Sequence, residues 1–383
     1  MKVGILSMQR VRNWGSFLQA FALKKKVEDL GHDCSFLDVK SGVGLTNEEL
    51  FELNKSKGSA FKRKLSLLWL AFLYTIKGQF FARLKSVAFQ KDFAHKYDND
   101  FLPILGIDPS KYEYEKEFDV VIIGSDEVFN CTQANSLNRT MQLFGEGINA
   151  KKVISYAASF GYTTVSDLEK LGLKERIQEA LSNISEISVR DENSSESIKQ
   201  LTGNKSELCV DPVIIYNFDA YLPDDVPEKD YLIVYTYQGR ITDSATINAI
   251  KKYAKSKNKQ IISLYSYYVW SDKCITPIDP FELLAYFAYA DYIVTDTFHG
   301  SIFSMKYNRN FCTIIRDSNA NKLGSLLKQF ELTDRIVKHP NEIEHILEQK
   351  IDYSSTNAII ESETLKAEAY LKSALTIDES IDS

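Results

Sequence analysis

Short apolar runs that end in polar turns, each followed by a stretch with three- and four-residue apolar spacing, constrain this chain more than any other feature. The run Met1–Met8 leads through a glycine-containing loop into a segment where Ala20, Leu23, Val27 and Leu30 recur at helical spacing, stopped by Gly31. A second run, Ser35–Val39, follows at once, so the chain opens as strand, helix, strand. Further strands are predicted at Phe118–Ile123, Lys152–Ala157 and Glu186–Val189. The alternation restarts beyond Asp211-Pro212, with strand Tyr231–Thr236, a helix near Ser244–Lys255, strand Gln260–Tyr265, a helix over Phe281–Ala290, and strands Tyr292–Thr295 and Asn310–Ile315. Strands that alternate with helices form largely parallel sheets covered on both faces. At 383 residues, 44% of them hydrophobic, the chain is long enough to build two such cores.

The expected division is a first α/β domain over 1–215, a second over 216–345, and a C-terminal helix with a frayed tail over 346–383. The first domain carries a helical, basic insertion at about 45–100. From Leu53 to Lys91 there is no acidic residue, and lysines and arginines surround the apolar run Leu65–Ile76. That run is shorter than the roughly 20 apolar residues that cross a bilayer. Two readings stay open: an insertion packed on the first domain with its lysines solvated, and a basic, aromatic-rich helix pair lying on an anionic membrane surface.

A net charge of −6, with both signs spread along the chain, argues against nucleic acid as a partner. Cys34, Cys131, Cys209, Cys274 and Cys312 lie far apart, and His32, His95, His299, His339 and His345 form no ligand pattern. The expectation is reduced, packed thiols and no metal. The N-terminus runs straight into Lys2-Val3-Gly4-Ile5-Leu6 without the features of a secretory signal, so the expected location is the cytoplasm. There is no internal repeat.

Chemistry is expected where strands end. In Tyr292-Ile293-Val294-Thr295-Asp296-Thr297-Phe298-His299-Gly300-Ser301 an apolar strand gives way to a polar turn and a helix start. A helix N-terminus at the carboxyl edge of a parallel sheet suits a phosphate, and His299 beside it could bind that anion or move a proton. Its alternative is a helix cap or a satisfied buried group. Gly124-Ser125-Asp126-Glu127-Val128-Phe129-Asn130 places two adjacent carboxylates at another strand end, with an N-cap at Ser125 or Asp126 as the structural alternative. Arg190, leaving the strand Ser188-Val189, could fork a carboxylate or phosphate, or pair locally with Asp191 or Glu192. Arg12-Asn13-Trp14-Gly15-Ser16-Phe17-Leu18-Gln19 opens the first helix without a G-x-G-x-x-G, so a dinucleotide site is poorly supported.

In order and spacing, these motifs resemble the polysaccharide pyruvyl transferase family, from about Lys2 to Arg335. The resemblance rests on Asn13-Trp14-Gly15 with Leu18-Gln19, Gly124-Ser125-Asp126 with Val128 and Asn130, Ser155-Tyr156-Ala157-Ala158-Ser159-Phe160-Gly161, Ser188-Val189-Arg190, Asp211-Pro212, and Thr295-Asp296 with Phe298-His299-Gly300. It implies two Rossmann-like domains facing across a cleft, as in GT-B glycosyltransferases, with phosphoenolpyruvate as co-substrate, no other cofactor, and a sugar or lipid-linked oligosaccharide of a surface or capsular glycan as acceptor. On that basis His299, Asp126 and Arg190 are the expected catalytic residues, with Glu127 as the alternative base. Thr297, Gly300, Ser301 and Arg316 are expected at the donor phosphate, and Asn13, Trp14, Gly15, Gln19, Glu127 and Asn130 at the acceptor. Glu127, Phe129 and Thr297 depart from the family pattern of Gln, Trp and Arg or Ser, which leaves Arg190 and Arg316 to supply the missing cation. The rival readings are a GT-B glycosyltransferase using a nucleotide sugar and a non-catalytic glycan- or membrane-binding relative.

Overall fold

The computed structural model describes residues 1–40, 80–133, 140–276, 279–316 and 319–377. The greater part of the basic segment from Leu53 to Lys91 lies outside them. Among the described residues no helix is long and apolar enough to cross a membrane.

The first sheet is built from β1 (Lys2–Leu6), β2 (Asp33–Phe36), β3 (Phe118–Asp126), β4 (Ala150–Ala158), β5 (Ser188–Val189) and β6 (Glu207–Leu208). Its strands run parallel in the order β2-β1-β3-β4-β5-β6. The second sheet contains β7 (Tyr231–Tyr235), β8 (Gln260–Leu264), β9 (Lys273–Ile275), β10 (Tyr292–Thr295), β11 (Asn310–Ile314) and β12 (Ile336–Val337), also parallel, in the order β12-β11-β10-β7-β8-β9. Both are doubly wound. The order reverses between β1 and β3 in one sheet and between β7 and β10 in the other, and crevices for ligands form beyond the strand ends at such reversals.

Local chemistry explains the elements that frame those crevices. Helix α1 (Trp14–Asp29) starts where the Asn13 side chain accepts the Gly15 N–H at 2.8 Å, and stops at Gly31, whose φ of +84° suits glycine. Helix α2 (Phe80–Lys96) packs Phe93 on Trp14, ring centroids 4.9 Å apart. The two domains share one apolar core. Phe21 of α1 meets Phe218 and Tyr221, and also Phe281 of α3 (Pro280–Tyr289), at centroid distances of 6.1, 5.1 and 5.0 Å. Helix α4 (Ser354–Ala374) returns to the first domain: the Tyr370 hydroxyl donates to the Ser155 carbonyl at 2.8 Å, and Glu368 pairs with Lys26 at 2.5 Å.

The predicted strands are present with ends shifted by a few residues. Three strands were not anticipated: β6, β9 and β12 are two or three residues long and lie toward the sheet edges, too short to carry a periodic signal. All five cysteines are free thiols, four of them buried.

Candidate active site

The two reversal points face each other, and the space between them is a cleft of about 400 Å³. On the first-domain side, Gln19 is fully buried and ties the loop after β1 to the end of β3. Its Nε2 donates to Ser7 Oγ at 3.0 Å, and its Oε1 accepts from Ser125 Oγ at 2.8 Å. Gly124 has φ +117°, and a Cβ there would stand 2.3 Å from the Tyr156 carbonyl oxygen. Asp126 follows with φ +84°, its carboxylate turned to the cleft. Asp126 Oδ2 accepts from Ser16 Oγ at 2.9 Å and Oδ1 from the Glu127 N–H at 2.9 Å. No helix begins here, so neither Ser125 nor Asp126 is a cap.

On the second-domain side, Thr297 caps α5 (Phe298–Lys306), its Oγ1 accepting the Gly300 N–H at 2.9 Å. A Cβ on Gly300 would stand 2.1 Å from Thr295 Oγ1, so no other residue fits this helix start. Asp296, 1% exposed, is held between two guanidinium groups: Arg240 at 3.4 Å and Arg316 in direct contact. Arg240 lies over the Tyr237 ring at 4.3 Å, and the Tyr237 hydroxyl accepts from Asn13 Nδ2 at 2.7 Å across the cleft. Burial, and then the charge of Arg240, lower the Arg316 pKa from its ordinary value. Two cations sharing one carboxylate leave a net positive charge beside the start of α5, which is a place for an anion.

Beneath the cleft runs a buried ionic chain. Asp211 Oδ2 lies 2.8 Å from Arg190 Nη1 and 3.5 Å from His299 Nε2, and Arg190 Nη2 lies 3.8 Å from Asp126 Oδ1. Arg190 thus pairs with Asp211, not with its neighbours Asp191 and Glu192. Asp191 instead caps the helix α6 (Glu192–Thr202). Burial alone would raise the Asp211 carboxyl, but His299 beside it, the charge of Arg190 and the Val213 N–H hold it down to about 2. Glu127 is likewise pulled down to about 2 against its burial, by Lys322 at 2.6 Å, Arg190 and Asn130. Gly15 makes room for the histidine: a Cβ there would stand 2.0 Å from His299 Nδ1.

Of the residues expected at a site, Asn13, Asp126, Glu127, Thr297 and His299 line the cleft, and Arg316 stands behind it on Asp296. Trp14, Gln19, Asn130 and Ser301 are fully enclosed. Trp14 packs on Phe93 and Phe101, Asn130 holds Glu127 and Thr163, and Ser301 bonds the Thr297 carbonyl and Thr313, so these four shape the site from behind. Arg190 is buried in the same way, its side chain 3% exposed. Tyr237, Arg240, Asn319 and Lys322 were not anticipated. Arg240 and Lys322 sit in polar stretches that look like ordinary solvated surface until the strand order brings them to the cleft. Among the described residues no group of three or more His, Cys, Asp or Glu side chains could hold a metal ion.

The ionic chain has a consequence for stability. Asp211 and Glu127 have ordinary pKa values of 3.8 and 4.5, and both are depressed to about 2 in the fold. Depressed carboxyls stabilise above their unfolded pKa, and that contribution is lost as pH falls through the folded value. The urea midpoint is therefore expected to fall between about pH 4.5 and pH 2, and less steeply in Asp211→Asn. An unaltered slope in that variant would remove Asp211 from the account.

A family model described as polysaccharide pyruvyl transferase matches residues 13–318. No curated protein sequence matches the chain. Among solved structures, a UDP-N-acetylglucosamine 2-epimerase from Listeria monocytogenes is 9% identical with a TM-score of 0.51, covering 100% of this chain and 97% of that one. At that identity the likeness speaks for the fold. The glycosyltransferase SnogD from Streptomyces nogalater is 12% identical, TM-score 0.44, covering 98% of each chain. An O-GlcNAc transferase mutant from Thermobaculum terrenum is 11% identical, TM-score 0.43, covering 98% of this chain, which spans 66% of the length of that protein.

Proposed function

Because this chain belongs to the polysaccharide pyruvyl transferase family, we propose that it transfers pyruvate from phosphoenolpyruvate to two hydroxyls of a sugar in a glycan precursor, forming a ketal and releasing phosphate. The observation that carries this reading is the convergence of Arg240 and Arg316 on Asp296 at the start of α5, with His299 and the Asp126 carboxylate lining the same cleft. Phosphoenolpyruvate brings a phosphate and a carboxylate, and needs several cations around a small space. Arg240 and Arg316, which share the single carboxylate of Asp296, supply them together with the N–H groups at the start of α5.

In the proposed reaction the methylene carbon of phosphoenolpyruvate takes a proton while a sugar hydroxyl oxygen bonds to the adjacent carbon. The C–O bond to phosphate then breaks, and the second hydroxyl closes the ring, its proton leaving with phosphate. His299, with Nε2 facing Asp211, is the group placed to deliver or share a proton near the phosphate, and Asp211 is its positioning residue. Asp126 is the better base, because Glu127 is held ionised by Lys322 and bonded to Asn130. Glu127 and Lys322 act as a bridge between the domains.

The test is phosphate release from phosphoenolpyruvate with galactose-, mannose- and glucose-containing acceptors. Sugar-dependent release is expected; no release with any acceptor, together with tight binding of a nucleotide sugar, would turn the reading to glycosyl transfer. Within that assay Arg240→Ala is expected to raise KM for phosphoenolpyruvate by about tenfold or more, as loss of one charge-assisted contact of about 1.5–3 kcal/mol does. Gly15→Ala displaces the imidazole and is expected to lower kcat by about a hundredfold, the scale for a misplacement near 1 Å, with a fall in Tm from the loss of stability that overpacking of a buried site gives, about 1–3 kcal/mol. Normal turnover in Gly15→Ala would mean that His299 need not hold this position.

A further inference from the structure

The groove between the domains does not end at the cleft. Beyond Phe298 and Lys322, which line both spaces, it opens into a second cavity of about 520 Å³, within the range of about 300–1,000 Å³ that small-molecule pockets occupy. The partition between the two is the Phe298 ring, held by two cations: the Arg190 guanidinium stands 4.4 Å from its centroid and Lys322 Nζ 4.5 Å. Each cation is anchored elsewhere, Arg190 on Asp211 and Lys322 on Glu127, so the ring stands in a fixed frame.

The far cavity is lined by polar groups of both signs. Arg190 and Lys322 are matched by carboxylates, and the lining adds Asp191, Glu192, Lys328 and Gln329 as hydrogen-bonding groups around apolar residues that include Val210. An aromatic ring with carboxylate and amide groups around it suits the alternating C–H and hydroxyl surface of a sugar. The wall opposite is α7 (Ala320–Gln329), which carries Gly324 in its interior. Glycine is a poor helix former compared with alanine, and a Cβ there would meet nothing within 4 Å. No packing contact requires the glycine. It marks a position on the cavity wall where a larger side chain would enter the open space.

We infer that this second cavity is a saccharide subsite, holding the sugar unit next to the one that receives the pyruvate, on the far side of Phe298. The inference rests on the pyruvyl transfer reading for the identity of the reacting sugar. It makes the protein a reader of at least two acceptor units, so that the precursor must already be extended by a glycosyl transfer before the ketal is formed.

The experiment compares the methyl glycoside of a single hexose with the corresponding disaccharide and trisaccharide glycosides, by equilibrium binding and by phosphate release. In the wild-type protein the disaccharide is expected to bind and react about tenfold better than the monosaccharide, the gain of about 1.4 kcal/mol. Gly324→Trp, which fills the cavity, should bring that ratio to about one, while Gly324→Ala, which adds only a Cβ into open space, keeps it and reports that the helix tolerates substitution. A ratio unchanged in Gly324→Trp, or no length dependence in the wild type, overturns the subsite. If the length effect is present in binding and sensitive to Gly324→Trp but no acceptor supports phosphate release, the subsite stands and the pyruvyl transfer reading falls.

Discussion

In His299→Ala, sugar-dependent phosphate release should fall by about a hundred- to ten-thousand-fold, the range for removal of a positioned acid–base group, with the fold intact. The imidazole is enclosed by Gly15, Asp211 and Phe303, and stands at the start of α5 beside the two arginines that share Asp296. Alanine is compatible with that helix, and the Thr297 cap on Gly300 does not involve the imidazole. The loss should therefore appear chiefly in kcat, with a modest fall in Tm because Asp211 keeps Arg190 and loses only one of its two partners. His299→Gln separates the roles: if hydrogen bonding to phosphate is what matters, the amide restores a measurable fraction, and if proton transfer is what matters, it restores none. Wild-type rates in both variants would remove His299 from the reaction.

Arg190→Ala is expected to be the most destabilising single change, by about 3–5 kcal/mol, the scale for breaking a buried ion pair from one side. Its guanidinium stands against Asp211, whose side chain is fully buried, and near Asp126 at 13% exposure, and it also faces Phe298. Removing it leaves the Asp211 carboxylate with His299 alone, and strips one face of the partition ring. Thermal unfolding measures the effect. Arg190→Ala combined with Asp211→Asn should recover part of the loss, because the uncompensated charge is then gone, whereas two surface residues so far apart in sequence would show additive effects. Arg190→Lys should not substitute, since an ammonium cannot span Asp211 and Asp126 as the planar fork does.

Much of this was legible from the chain. Chemistry was expected at the strand ends, and Asp126 at the end of β3 and Asp296, Thr297 and His299 beyond β10 line one cleft, because a parallel sheet delivers the ends of its strands to one edge. The domain pair facing across a cleft, implied by the family resemblance, is the arrangement found. Less was legible about which way each marked residue turns. Trp14 and Gln19 sit in the same motif as Asn13, yet α1 is buried all round from Trp14 to Leu23, while Asn13, the cap with extended backbone before it, reaches Tyr237. Asn130, three residues beyond Glu127, became the support of that carboxylate and not a ligand contact.

What the sequence determined by itself, then, is local: the apolar runs, the helix stop at Gly31, the helix start that follows the strand ending at Thr295, and the family signature, each set by neighbours within a few residues. What only the tertiary structure decided is who meets whom across the chain. Arg190 meets Asp211 and not Asp191; Arg240 and Arg316 meet at Asp296; Lys322 reaches Glu127 from the other domain; and α7 bounds a second cavity beyond Phe298. Those pairings follow from strand order and domain docking, which bring together residues tens to hundreds of positions apart, and periodicity along a chain carries no record of that order.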